Sequence, residues 1–204
     1  MPVRGEKRPT QDKLPAYFHR LPPRAQRIYL QSDSITQYQF VPGKAAADAV
    51  AELVRVLAKG SASATEAAAS KVIEEMCRAA GVAPVTIDVR EVRPRNARGE
   101  LHGLFYPADA RRRTPPHIVL WMRTAERRDV VKPRTFVRTL MHELAHYFDY
   151  SVLKLDESFH TRGFFARESF LVRTSNPKPA EQAETEGPAM LRAWLDRHTR
   201  NTDR

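Results

Sequence analysis

One stretch of the chain, residues 139–149, limits the possible fold and site more than any other. It reads Thr-Leu-Met-His-Glu-Leu-Ala-His-Tyr-Phe-Asp and contains the pattern His-Glu-x-x-His (HExxH). Apolar residues recur around this pattern at helical spacing, which predicts a helix with one broad face in the core. These residues are Val137, Leu140, Met141, Leu144, Ala145 and Phe148. Pro133 stands where a first-turn proline is tolerated, so the helix is predicted to begin near it.

The two histidines of this pattern can share one metal ion. His142 and His146 are separated by one helical turn, so their side chains project from the same face. Glu143 lies beside them and can serve as general base toward a water molecule that the metal activates. Zinc (Zn2+) is the expected metal, because it accepts imidazole nitrogens and lowers the pKa of bound water to about 7. An ordinary amphipathic helix with surface or satisfied core histidines is the alternative interpretation.

A catalytic zinc ion usually takes three protein ligands, so a third residue must complete the site. His160 is the preferred third ligand, because it is an imidazole between a loop and the next helical pattern. Glu168, on that next helix, is the second choice. Asp149 is better placed to accept an N–H from a ligand imidazole. Asp156 and Glu157 are expected to shape the loop or to be solvated.

Length, charge and cysteine content restrict the class of protein. The 204 residues suffice for one domain with tails and a core that needs no disulfide. Cys77 is the single cysteine, which excludes an internal disulfide and a cysteine zinc cluster, and we expect it to be a small buried hydrophobe. Without a membrane-length apolar run or a signal core, we expect a cytoplasmic protein with no membrane partner. The net charge of +10 makes nucleic acid a candidate partner.

Three regions are predicted from the distribution of prolines and periodic patterns. Residues 1–43 form a basic, proline-containing leader that is partly ordered, with a short helix near Pro23 to Leu30. A role for this leader similar to that of a pro-segment is one hypothesis. Residues 44–175 form the main domain. Residues 176–204 form a linker and a short C-terminal amphipathic helix.

The main domain is predicted to be α+β, with helices packed on a short three-stranded sheet, followed by the HExxH helix and a further helix. The predicted helices outside the HExxH helix cover residues 44–59, 61–80 and about 164–172. The predicted strands cover residues 85–92, 101–106 and 117–122, in a sheet that is at least partly antiparallel. Ser63 and Thr65 are the N-cap candidates of the second helix. The last strand is a candidate edge for pairing with an extended peptide.

Two further features near the site invite functional interpretations. Basic residues concentrate in two loops, and we hypothesise that they form one basic surface, with solvated loops as the alternative. These residues are Arg111, Arg112 and Arg113 in the first loop and Arg123, Arg127, Arg128, Lys132 and Arg134 in the second. Tyr147 and Arg167 are candidates for stabilising an oxyanion, with packing or surface pairing as the alternative.

The strands followed by Leu140-Met141-His142-Glu143-Leu144-Ala145-His146, and then by a loop histidine with glycine and phenylalanine nearby, resemble the SprT-like (Spartan-type) zinc metalloproteases. The resemblance covers about residues 85–172. It implies a zincin-like fold in which the third histidine leads into another helix. It also implies zinc ligation by His142, His146 and His160, with Glu143 as catalytic base. Here Thr161 and Arg162 separate the third histidine from Gly163, and the family's cysteine zinc ribbon is absent.

The leading hypothesis is therefore a zinc-dependent metallopeptidase, a hydrolase of the endopeptidase kind, with protein or peptide substrates. In one version these substrates are associated with nucleic acid; in the other they are general or regulatory targets. The alternative is a non-catalytic DNA- or RNA-binding protein with a structural metal site. Glu143 favours the enzyme, because a structural metal site needs no general base. No oligomeric state is predicted.

Overall fold

The computed structural model describes residues 14–96 and 99–175, and their arrangement confirms the α+β class. Within these ranges the helices are α1 (Pro23–Ser34), α2 (Lys44–Leu57), α3 (Ala62–Ala80), α4 (Pro133–Ser151) and α5 (Arg162–Ser175). The strands are β1 (Thr86–Val92), β2 (Arg95–Asn96), β3 (Gly99–Glu100), β4 (Gly103–Tyr106) and β5 (His117–Arg123). A short 3-10 helix (Ala16–Arg20) precedes α1.

The described residues divide into two compact units between Arg27 and Ile28. The described part of the first unit is residues 14–27, which contain the 3-10 helix and the start of α1. Within it, the Gln26 side chain donates to the Leu21 carbonyl at 2.9 Å. The second unit holds the rest of α1 and all the other helices and strands. Residues 28–43, which the sequence assigned to the leader, therefore share a unit with the HExxH helix. The predicted linker and terminal helix over 176–204 lie outside the described residues.

The three-stranded sheet has the order β1-β5-β4. β1 runs parallel to β5, with Thr86 opposite His117, whereas β4 runs antiparallel to β5, with Gly103 opposite Leu120. The prediction of three strands in a partly antiparallel sheet is thus confirmed. The prediction that the strand 117–122 is a free edge is wrong, because β5 is paired on both sides. Its run of buried residues is typical of a central strand.

The two basic loops lie at opposite ends of the central strand. Residues 107–116 lead into the amino end of β5, and residues 124–132 leave its carboxyl end. A strand of 7 residues is about 20 Å long at the usual rise of about 3.3 Å per residue. The arginines of the two loops therefore start about 20 Å apart along β5, and the hypothesis that they form one basic surface stays a prediction.

Helix α3 packs against α2 and against β1. The N-cap of α3 is Ser61, whose hydroxyl accepts from the Ala64 amide, so the predicted caps are wrong. Thr65 instead donates its hydroxyl to the Ser61 carbonyl at 2.7 Å. α3 ends at Gly81 in the left-handed conformation (φ 68°), as expected of a C-terminal glycine. Cys77 is fully buried, which confirms the expected packing role.

Helix α4 carries the HExxH pattern and begins at Pro133, as predicted. The predicted apolar face is confirmed, because all six of its residues are buried. The helix packs against β4 and β5 on one side and against α5 on the other. In the part of the chain that the structure describes, no helix is both long and apolar enough to cross a bilayer.

Candidate metal centre

Three imidazole nitrogens converge at one point between α4 and α5. The Nε2 atom of His160 lies 3.0 Å from that of His146 and 3.1 Å from that of His142. Ligand nitrogens at about 2.0–2.1 Å from a tetrahedral zinc ion would stand about 3.3–3.4 Å apart, so the observed spacing is close to that of a metal site. The three half-buried histidines could therefore hold a metal ion.

Helix geometry and one buried phenylalanine place these rings. His142 and His146 project from successive turns of α4, and His160 returns from the loop between α4 and α5. The Phe164 ring contacts all three, with its centroid 5.1 Å from His142, 4.5 Å from His146 and 5.1 Å from His160. Phe164 is fully buried, so the three imidazoles pack against one apolar side chain of the core.

The outer nitrogen of His142 contacts a buried carboxylate. Its Nδ1 lies 3.1 Å from Glu168 Oε2, while Glu168 Oε1 forms an ion pair with Arg138 Nε at 2.7 Å. A carboxylate at Nδ1 holds the proton on that nitrogen and leaves the Nε2 lone pair free for a metal. Glu168, the second choice for a third ligand, thus has the supporting role that was predicted for Asp149.

His146 is supported through a serine that the sequence did not reveal. Its Nδ1 lies 2.8 Å from Ser158 Oγ, and the Ser158 hydroxyl donates to Asp149 Oδ2 at 2.7 Å. Asp149 therefore reaches the imidazole through Ser158 and not directly. Burial, followed by the charges of His142 and His160, lowers the pKa of His146 well below its usual value. The ring is accordingly neutral, as a metal ligand must be.

Asp149 and Arg167 form an ion pair that is completely buried. Arg167 Nη2 donates to both carboxylate oxygens, at 2.9 and 3.1 Å, and Nε donates to Oδ1 at 3.1 Å. Burial raises the pKa of Asp149, whereas Arg167, Ser158 and Tyr38 act to lower it. Arg167 is thus a structural residue and not an oxyanion donor. Tyr147 is also occupied, because its hydroxyl donates to the Ala83 carbonyl at 2.6 Å.

The predicted general base, Glu143, is buried where α4 faces β4. Desolvation raises its pKa to about 7; the charge of His142 lowers the pKa and that of Glu168 raises it. A metal cation beside the histidines would lower this pKa again. Gly103 leaves the space for this carboxylate, because a Cβ there would stand 2.6 Å from Glu143 Oε1. Among the sequence patterns, nothing identified Gly103 as part of the site.

Replacing Gly103 by alanine should therefore impair the site more than it impairs stability. The new methyl group would also approach Thr139 Cγ2 at 2.8 Å and Leu120 Cδ2 at 2.9 Å, so the flexible Glu143 side chain is expected to move. If Glu143 is the general base of a hydrolase, as the sequence predicts, we expect activity to fall at least about 10-fold, since a displaced base loses its alignment. The stability loss should be about 1–3 kcal/mol. Peptidase assays and urea unfolding would measure the two effects. Full activity in the alanine variant would contradict this role of Gly103.

Strand β4 runs beside the face of α4 that carries His146. Its Phe105 ring is nearly parallel to that of His146, with centroids 6.3 Å apart and an interplanar angle of 8°. The same ring also contacts Tyr147 and Tyr150. The strand pairs with β5 along one edge, and its order in the sheet makes it an edge strand. An edge of backbone donors and acceptors therefore lies next to the candidate metal centre.

Comparison with known proteins does not identify the chain: no family model matches it, and neither a curated protein nor a solved structure matches it.

Proposed function

We propose that this protein is a zinc-dependent metallopeptidase of the zincin, SprT-like type. The ligands are His142, His146 and His160, and the general base is Glu143. The observation that carries the proposal is the convergence of three imidazole Nε2 atoms, two of them on the helix that also carries the buried carboxylate of Glu143. Neutral imidazoles suit zinc better than calcium or magnesium, which prefer oxygen ligands. Three protein ligands also leave the open position that distinguishes a catalytic from a structural zinc site.

The residues around the histidines fit the chemistry of peptide hydrolysis. When bound, zinc supplies Lewis-acid activation of a water molecule and of the substrate carbonyl. Glu143 accepts the proton of the attacking water as its oxygen bonds to the carbonyl carbon. Glu143 then delivers the proton to the amine nitrogen as the C–N bond breaks. Glu168 and Ser158 hold the Nδ1 protons of His142 and His146, so both Nε2 lone pairs point inward.

The proposed substrate is an extended segment of a protein or peptide. Such a segment can add to the edge of β4 by backbone hydrogen bonding. The close approach of Gly103 to Glu143 Oε1 supports this proposal, because it brings β4 against the proposed general base. The proposed edge is thus β4, and not the strand 117–122 that was the candidate from the sequence.

The competing proposal is a non-catalytic protein that binds DNA or RNA and uses the metal for structure. The net charge of +10 favours it, as do the exposed arginines of residues 111–113, 127 and 128. Nucleic-acid binding that weakens steeply with salt, with no hydrolysis of any protein, would support this alternative. Both activities together would support a peptidase that acts on proteins associated with nucleic acid.

Metal analysis of four proteins tests the proposed ligand set. We expect one zinc ion per chain in the wild type and none in His142→Ala or His160→Ala. Glu168→Gln should keep the metal but bind it about 10–100-fold more weakly, because it loses only the support of His142. Zinc content by elemental analysis and affinity by competition with a chelator would measure these effects.

Each alternative has its own outcome in this experiment. Zinc that survives loss of His160 but not loss of Glu168 would make Glu168 the third ligand and keep the enzyme. A wild-type protein that takes up no zinc, even when zinc is supplied, would end the peptidase proposal. Hydrolysis of unfolded casein that stops when a chelator is added and returns when zinc is restored would support the peptidase proposal.

A further inference from the structure

The carboxyl end of α1 docks closely on the amino end of α5. Gly163 lies against the backbone of α1, and a Cβ there would overlap the Ser32 carbonyl oxygen. Asp33 accepts from the Arg162 amide at 2.9 Å and pairs with the Arg162 guanidinium at 2.7 Å. The docking thus requires glycine at position 163 and is reinforced by the pair of Asp33 and Arg162.

Arg167 connects this docked segment to the interior. Its Nη1 donates to the carbonyls of Ser32 and Ile35, and its Nη2 donates to Ser32 Oγ at 2.9 Å. The same guanidinium holds both oxygens of Asp149. A planar guanidinium is rigid, so it transmits the position of one set of partners to the other. The end of α1 and the Asp149 carboxylate therefore constrain each other.

The same carboxylate also supports a proposed metal ligand. Asp149 accepts from Ser158, and Ser158 contacts Nδ1 of His146. Tyr38, which follows α1, adds a second connection, because its hydroxyl lies 3.2 Å from the Ala145 carbonyl and 3.4 Å from Asp149 Oδ1. A continuous series of polar contacts thus runs from Ser32 through Arg167, Asp149 and Ser158 to His146.

We propose that residues 32–38 are part of the support of the metal centre, and that metal binding and docking of this segment strengthen each other. A bound metal fixes the His146 ring, and the docked segment fixes the groups that orient the ring. Linkage requires each event to favour the other by the same factor. Ser158 and Arg167 are positioning residues in this scheme. The proposal rests on metal binding by the histidines and not on peptidase activity, and it makes residues 32–38 unlike a removable pro-segment.

Zinc affinity in variants at both ends of the series is the first test. Ser158→Ala should weaken zinc binding about 10-fold to 100-fold, as expected for loss of a group that supports a ligand histidine. Ser158→Thr should restore most of it, because it restores the hydroxyl. Ser32→Ala, at the far end of the series, should weaken zinc binding about 5-fold or more. Asp33→Asn is the matched control, since it removes only an ion pair with the exposed Arg162 from the same docking contact and leaves every hydrogen bond of Arg167 in place. Its zinc affinity should change less than about 3-fold.

Amide hydrogen exchange of residues 28–38, measured with and without zinc, is the second test. If Ser158 had a merely structural role, its loss would not change the effect of zinc on this exchange. In the wild type, saturating zinc should slow exchange of this segment on the order of 10-fold. In Ser158→Ala that effect should shrink to that of the remaining connection through Tyr38 while zinc still protects α4, and in Asp33→Asn it should persist in full. Equal zinc-dependent protection in the wild type and Ser158→Ala would overturn the proposal, as would an unchanged zinc affinity in both alanine variants. A wild type that binds no zinc would end the metal-site proposal itself, which is a separate result.

Discussion

Glu143→Gln should bind zinc as the wild type does and should hydrolyse peptides about 10²-fold to 10⁴-fold more slowly, the range typical of a lost general base. Glutamine has the shape of glutamate, so it fits the space that Gly103 leaves and does not disturb the metal ligands. Its amide cannot accept the proton of the attacking water. The loss should therefore appear in kcat, measured on a fluorescent peptide at matched zinc content.

The control for this experiment is Glu157→Gln, which makes the same chemical change on the loop that precedes His160. Glu157 is exposed, so we expect its activity to remain within about 2-fold of the wild type, as for most surface substitutions. Normal activity in Glu143→Gln would show that Glu143 is not the base. A Glu143→Gln protein that also loses its zinc would instead assign the carboxylate a role in metal binding.

Arg167→Met should destabilise the metal-free protein by about 3–5 kcal/mol, because it leaves the buried Asp149 carboxylate without its cation. Both side chains are completely buried, so water cannot replace the lost partner. Urea unfolding would measure the change. Arg167 is among the causes that lower the pKa of Asp149. In the variant this pKa should rise, so the stability loss should shrink as the pH falls and Asp149 takes up a proton.

Arg162→Met provides the comparison on the same helix. Arg162 pairs with Asp33 at the surface, where its side chain is 65% exposed, so we expect a loss of at most about 1 kcal/mol. Combining Arg167→Met with Asp149→Leu should recover part of the stability, because both charges are then absent. A loss in Arg167→Met no larger than that in Arg162→Met would contradict the importance of the buried pair.

The sequence by itself determined the local features of this protein. The apolar spacing around His142 and His146 identified α4 and its start at Pro133, because helical periodicity depends only on residues close in the chain. The alternating pattern located β1 in the same way. His160 could be selected as the third histidine because it is an imidazole between a loop and the next helical pattern, and a loop can bring it back to the other two.

Only the tertiary structure decided which groups meet across the chain. β5 became the central strand because strand order depends on pairing between distant segments, which alternation does not encode. Glu168 contacts His142 directly, because the packing of α5 on α4 brings these two side chains together. Asp149 contacts His146 only through Ser158. Gly103 and Ser32 acquired their roles from neighbours far away in sequence. The positions of His142 and His146 thus follow from local periodicity, whereas the return of His160 and the groups that orient the three rings follow from long-range packing.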